Sequence, residues 1–476
     1  MYPGIHAESF PDKPAVVLAD TGERITYEQL DRNSLRLAVF FGETGLRRGD
    51  HIAMLVGNDP RSFEIYWAAL RSGLYVTAVN CHSGYDEAAY VVDDCGAQAL
   101  VVAAEFGELA LRVISKTPRV RVRLALGGPV LGHDSYDEAL ESASDRSLPS
   151  QPRGRALPYS SGRTGRPKGV VTSLPDVQVD EGDDPIGREL SLLYDFDSDT
   201  VYLSPGPIHA AAPLRFCEYV HSRGGTVVLM KRFDAETALA IIDRYRVTHG
   251  QWVPEMFARL LQLSEPVRYK YDLSSLEMAI HAGAPCPVAV KQAMIDWWGP
   301  IVHEHYSSTE CIGITCINSF EWNLKRGSVG RSWDGAVHVC RDDGTELPPG
   351  QVGLVYFDDT PFSYRNDKGK TQQSRHPWCP TWATGGDLGY LDEDGYLFLV
   401  GRSELVTPGG TDIHLEENED TEVLYPAAPV IVEPRRGSSA GLVSRFRLPW
   451  KFDFAAVLPG ASTEKPVAGE LRGRYR

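Results

Sequence analysis

Between Ile25 and Trp298 the chain switches repeatedly between two hydrophobic periods, and this alternation limits the fold more than any other feature. The run ITYEQLDRNSLRLAVFFGETG from Ile25 spaces its apolar residues at helical intervals. HIAMLVGN from His51 is a short apolar strand closed by turn residues, and SFEIYWAALRSG is an amphipathic helix with a glycine stop. VTAVN and DEAAYVVDDCGAQALVVAA repeat the scheme, as do DTVYLSP, GGTVVLMKRF, AETALAIIDRYRVTHGQWVP and PVAVKQAMIDWWG. Such alternation predicts an α/β fold, because parallel strands need crossovers and helices are the usual crossover. No fixed-period repeat is present, which excludes a solenoid. After Gly327 short strands (VHVC, GLVYF, GYLFLV) separated by DDG, PPG and DEDG turns predict a small antiparallel or barrel-like lobe.

A chain of 476 residues has room for about three lobes at roughly 150 residues each. The net charge is −16, which argues against sequence-independent binding to nucleic acid or to an anionic membrane. Neither a signal-peptide pattern at the start nor a stretch of about 18 apolar residues is found. The expectation is a cytoplasmic protein with no membrane span. The eight cysteines are scattered and form no CxxC pair, so they read as reduced, packed thiols rather than a disulfide or zinc framework. Near Gly401 the composition shifts to an acidic stretch, DIHLEENEDTE, whose ordinary reading is a solvated helix face; a Pro/Ala and Arg/Ser segment and a basic tail follow.

The most specific local signal is YSSGRTGRPKGVV, from Tyr159 to Val171. Small hydroxyl residues (Ser160, Ser161, Thr164), glycines (Gly162, Gly165, Gly169) and Lys168 are what a phosphate-holding loop needs. Backbone N–H groups converge on oxygens there, and the lysine supplies charge. The GKS or GKT ending of a Walker A loop is absent.

This run resembles the phosphate loop of the adenylate-forming superfamily, which contains acyl-CoA synthetases, luciferases and the adenylation domains of peptide synthetases. Further motifs follow in that family's order. IHAGAPCP resembles the adenine-side loop, which implies that Gly283 and Ala284 border the base. HEHYSSTE resembles a second motif, implying that Tyr306 stacks on adenine, Thr309 contacts the α-phosphate and Glu310 holds Mg²⁺. TGGDLGYLDEDGYLFLVGR resembles the ribose motif, with Asp387 and Arg402 on the sugar. LPGASTEKPVAGELRGRYR aligns partly with the family's ending and places Lys465 on its mobile catalytic lysine.

The resemblance is closest to actinobacterial fatty-acyl-CoA synthetase-like ligases. It implies a large N-terminal domain (1–400) of two sheet-and-helix subdomains plus the small β lobe, followed by a small α+β C-terminal lid (401–476). It further implies ATP and Mg²⁺ as cofactors, a small-molecule acid as substrate and CoA as acceptor of the acyl group. His209, His281 and Trp252 fall on segments that border the acid pocket in such enzymes. The chain also departs from the family. Arg163 stands where the loop usually has Thr, His209–Ala210 replaces a Tyr-His pair, and the lid is shortened between about Pro429 and Gly441. Two alternatives follow from those departures: an adenylating enzyme that never uses CoA, for example one that activates nitrite for diazotisation of an aryl amine, and a non-catalytic nucleotide-binding relative.

Overall fold

The structure is a computed structural model that describes residues 2–143, 148, 150–160, 166–181, 185–358, 361–403 and 413–415. Local sequence explains where its elements begin. Thr26 and Gln29 form a reciprocal capping box at the start of the helix Tyr27–Glu43, and Leu30, Leu37, Ala38 and Phe41 make its buried stripe. Asp234 caps the helix Ala235–Tyr245 by accepting from Thr237 N. The helix Ala211–Arg223 stops at Gly224, whose φ of 85° a side-chain-bearing residue adopts only at a cost.

Two mainly parallel sheets carry the alternating part of the chain, as the alternation predicts. One is six-stranded and wholly parallel, in the order Asp134–Ser135, Val122–Leu126, Ala97–Ala103, His51–Leu55, Tyr75–Ala78, Arg155–Ala156. The other has nine strands, with a parallel centre made of Val302–Tyr306, Met278–His281, His249–Trp252, Val201–Ser204, Thr226–Leu229 and Pro14–Leu18. Antiparallel strands close both of its edges. The first strand of the chain thus pairs with Thr226–Leu229, more than two hundred residues downstream, which no local pattern announces. The small lobe is a five-stranded antiparallel sheet, Val337–Cys340, Gly353–Phe357, Asp387–Leu391, Leu397–Ser403, Ile413–Leu415.

One helix differs from its sequence reading. Ser62–Leu70 reads as amphipathic, yet all nine of its residues are buried. It lies against the helix Tyr27–Glu43, and its one carboxylate, Glu64, is satisfied by Asn33 (2.7 Å) and Tyr136 (2.8 Å). Hydrogen bonding at both oxygens makes that burial tolerable.

The two large sheets are tied by polar groups. Arg153 reaches Glu218 Oε1 at 3.1 Å while Tyr66 donates to Oε2 at 2.5 Å, all three buried. Asn58, just past the strand His51–Leu55, donates to Gly206 O and Met230 O and accepts from Ile208 N. It thereby holds the loop that carries His209. Among the described residues no helix is long and apolar enough to cross a membrane.

Candidate active site

Three segments meet where the small lobe faces the nine-stranded sheet. The first is the phosphate-type loop. Its base is closed by a Tyr159–Gly169 bridge, by Ser160 N donating to Lys168 O at 2.9 Å, and by Lys168 N donating to Ser160 Oγ at 3.1 Å. Ser160 and Lys168 are therefore brought together as the two ends of one hairpin. Ser161, Gly162, Thr164 and Gly165 lie outside the described residues. Lys168 Nζ forms an ion pair with Asp367, and that pairing holds the Asp367 carboxyl below its ordinary range.

The second segment follows the strand Val302–Tyr306. Tyr306, at the end of that strand, donates to Asp387 Oδ2 at 2.6 Å, and its ring stands 6.1 Å from Phe357. Thr309 and Glu310 come next in a tight turn: Cys311 N donates to Ser308 O, and Cys311 sits at φ 51°. Ser307 Oγ bonds Gly313 O, and Arg215 of the helix Ala211–Arg223 reaches Cys311 Sγ. A side chain at Gly313 would run into Phe357, its Cβ only 2.0 Å from that ring, so the loop can approach the small lobe only with glycine there. Glu310 Oε1 accepts from Tyr364 Oη at 2.7 Å.

The third segment is the ribose-type motif. Asp387 opens the strand Asp387–Leu391 directly opposite Arg402 in the antiparallel ladder, so these two expected sugar contacts share one register position. Gly386 precedes it at φ 89°, with its N–H held by Thr384 Oγ1 at 3.0 Å. Across the site, Gly283 takes φ 86° just after the strand Met278–His281; it is exposed, and Ala284 beside it is half-buried. Lys465 lies outside the described residues.

The expected acid-side residues divide into two groups. Trp252 and His281 are register partners on adjacent parallel strands and therefore share a face of the sheet. Both are buried and pack on Phe257, at ring distances of 6.2 and 5.4 Å. Glu304, the next register partner, joins them and is paired with Lys291 of the helix Val288–Trp298 at 2.6 Å. Burial, then the Lys291 charge, holds the His281 imidazole well below its usual range, so it is neutral near pH 7. His209 stands elsewhere, its ring 6.3 Å from that of His82, and burial lowers its pKa to about 4.

The donor set fits a nucleoside triphosphate: a hydroxyl–carboxylate pair for the nucleoside, a lysine at the loop base, and exposed glycine backbone at Gly283. For a divalent cation the described residues hold no group of three or more His, Cys, Asp or Glu. Glu310 alone fits Mg²⁺, which typically takes one or two carboxylates and completes its shell with water and substrate phosphates. Local sequence did not signal Tyr364 or Asp367, since PFSYRND carries no motif and only the fold brings it to Lys168 and Glu310. Arg215 was equally silent.

The Ser160–Lys168 closure, the Asp387 carboxylate and the tyrosine at the end of a parallel strand fit one class of enzyme, an AMP-forming ligase. Residues 5–360 match the family described as AMP-binding enzyme, and the chain belongs to it. It is 26% identical to the fatty acid–[acyl-carrier-protein] ligase ScoC of Streptomyces coeruleorubidus, over 99% of this chain and 95% of that protein. It is 25% identical to the long-chain-fatty-acid–CoA ligase FadD13 of Mycobacterium tuberculosis, over 98% and 96% of the two chains. ATP-bound MatB from Rhodopseudomonas palustris shares the fold, with a TM-score of 0.77 at 22% identity and coverage of 100% and 99%.

Proposed function

We propose that the protein is an acid–CoA ligase, in which residues 1–400 form the adenylation domain and residues 401–476 a shortened lid. ATP-dependent, AMP-forming activation of an acid follows from the family. The observation that best supports the placement of the nucleotide is the Tyr306–Asp387 hydrogen bond, which joins the residues assigned to base and ribose.

In this reading Gly283, Ala284 and Tyr306 border the adenine, and Asp387 accepts from the ribose hydroxyls with Arg402 beside it. Ser160, Ser161, Gly162, Thr164, Gly165 and Lys168 hold the β- and γ-phosphates. The carboxylate of the acid attacks the α-phosphorus, the bond to the β-phosphate oxygen breaks, and pyrophosphate leaves. The CoA thiol then attacks the acyl carbon and AMP departs. In the first step charge builds on the leaving oxygen and on the oxygens of the α-phosphate, and in this reading Thr309 and Lys465 would stabilise it. A Mg²⁺ held at Glu310 neutralises phosphate charge when bound. No covalent enzyme nucleophile is required, which agrees with a site made of positioning groups. His209, Trp252 and His281 would border the acid.

ATP–pyrophosphate exchange driven by candidate acids, followed by AMP release with and without CoA, tests the reading. Exchange together with CoA-dependent turnover is the expected result. Exchange with CoA-independent turnover would show that the acceptor is not CoA, and absence of exchange would leave a nucleotide-binding protein. Because ScoC is named for transfer to an acyl carrier protein, holo-carrier protein is the second acceptor to supply.

A further inference from the structure

One short segment, Ser363–Asp367, holds both charged groups assigned above to the triphosphate and its cation. Ser363–Tyr364 pairs antiparallel with Val170–Val171, the strand that leaves the phosphate loop, and Arg365 N donates to Gly169 O at 2.8 Å. The segment is also tied from its other side. Arg365 Nε and Asn366 Nδ2 donate to the backbone and carboxylate oxygens of Asp94, whose Oδ2 accepts from Tyr159 at the mouth of the same loop. Asn366 turns at φ 55°, and Thr371 Oγ1 closes the turn by bonding Asp367 O and accepting from Tyr364 N. This backbone is over-determined, so the two side chains it presents stand in fixed places.

Those two side chains are Tyr364, which donates to Glu310 Oε1 at 2.7 Å, and Asp367, which pairs with Lys168. Asp367 is itself oriented, because its other oxygen accepts from Lys370 N at 2.8 Å. We propose that Tyr364 and Asp367 are positioning residues that set Glu310 and Lys168 for Mg·ATP before it arrives; this rests on the reading of the site given above. An ammonium group has three donors and Asp367 occupies one side of it, so Lys168 keeps N–H groups for phosphate. Likewise Tyr364 engages one oxygen of Glu310 and leaves the carboxylate aimed. A lysine held in one rotamer has already lost the side-chain entropy that binding would otherwise cost.

The test is calorimetric titration of the full chain with ATP, once in Mg²⁺ and once in chelator, for wild type, Tyr364→Phe and Asp367→Asn. Asp367→Asn is expected to weaken ATP binding by about two- to fivefold in both conditions, the range of a half-exposed ion pair. Tyr364→Phe is expected to weaken Mg·ATP by about tenfold, as for a hydrogen bond to a charged group, and to leave ATP in chelator unchanged. That dependence on Mg²⁺ is a signature that loss of general packing would not produce. If Asp367→Asn proves unstable, Asp367→Ser, which also keeps a cap acceptor without the charge, takes its place. Unchanged affinities in both variants overturn the proposal, and tighter ATP binding in Asp367→Asn overturns it by making Asp367 a competitor of phosphate. A wild type that binds no ATP would instead sink the assignment of the site as a whole.

Discussion

Lys291–Glu304 and Lys168–Asp367 are both ammonium–carboxylate pairs, yet the first lies beneath the helix Val288–Trp298 with side chains 0% and 8% exposed, while the second stands at the rim of the site with 30% and 35%. Burial drives Glu304 toward its neutral form and Lys291 likewise, against their mutual attraction, so that pair is costly to form and worse to break. Water shares the rim pair, which contributes little to stability and can offer its lysine to a ligand. Identical charge pairs thus lie sealed in the core in one place and open to a ligand in the other, and exposure decides which.

Breaking the buried pair should give the largest effect. Lys291→Ala or Glu304→Ala is expected to cost about 3–5 kcal/mol, read as a large fall in thermal midpoint, because each strands a charge in the core. The double change Lys291→Met with Glu304→Leu should recover most of that loss. If each single variant melted like wild type, the contrast would collapse.

At the rim the ranking reverses. Lys168→Ala should leave stability within about 0.5 kcal/mol, yet reduce ATP–pyrophosphate exchange by about 100-fold, the usual scale for losing one charge-stabilising group. Equal losses in melting and exchange would show that the rim pair is structural too.

A third experiment probes the core through pH. His305 adjoins Glu304 in the strand Val302–Tyr306, stacks on Phe216 and has its pKa lowered to about 4, first by burial and then by Arg215. In the unfolded chain its pKa is near 6.5, so below that value the unfolded state binds a proton that the folded state refuses. Stability contributed by neutral His305 is therefore full above about 6.5 and lost as pH falls toward 4, by up to about 1.4 kcal/mol per pH unit. Chemical denaturation of wild type and His305→Phe at pH 7 and 5 should show a smaller pH loss in the variant.

The smallest effect belongs to Tyr306→Phe. The ring and its contact with Phe357 remain, and only the bond to Asp387 is lost. ATP affinity should fall by about tenfold, the scale of a hydrogen bond to a charged group, with the melting temperature little changed. A variant with unchanged ATP affinity would remove the support that this bond lends to the nucleotide placement.

The fold class was legible from sequence because its signals are local. The alternation from Ile25 to Trp298 and the turn residues after Gly327 each act within a few positions, and each appears in the structure as elements. The residues assigned to the nucleotide could be named from sequence for a related reason: Tyr306, Glu310, Asp387 and Lys168 sit in contiguous runs of distinctive composition. Tyr364 and Asp367 escaped notice because their partners lie 54 and 199 positions away. The helix Ser62–Leu70 was misjudged because Glu64 looks like a solvent-facing residue until Asn33 and Tyr136 are known to satisfy it.

By itself the amino-acid sequence determined the α/β class, the motif residues and their order along the chain. Hydrogen bonding, capping and hydrophobic period act over one or two turns and leave their mark in adjacent letters. Tertiary structure alone decided that Pro14–Leu18 would complete a sheet with Thr226–Leu229, that Trp252, His281 and Glu304 would share a buried face, and that one lysine would be entombed while another met its carboxylate in water. Those outcomes depend on which surfaces exclude solvent when distant segments pack, and solvent exclusion belongs to the assembled fold rather than to any single stretch of it.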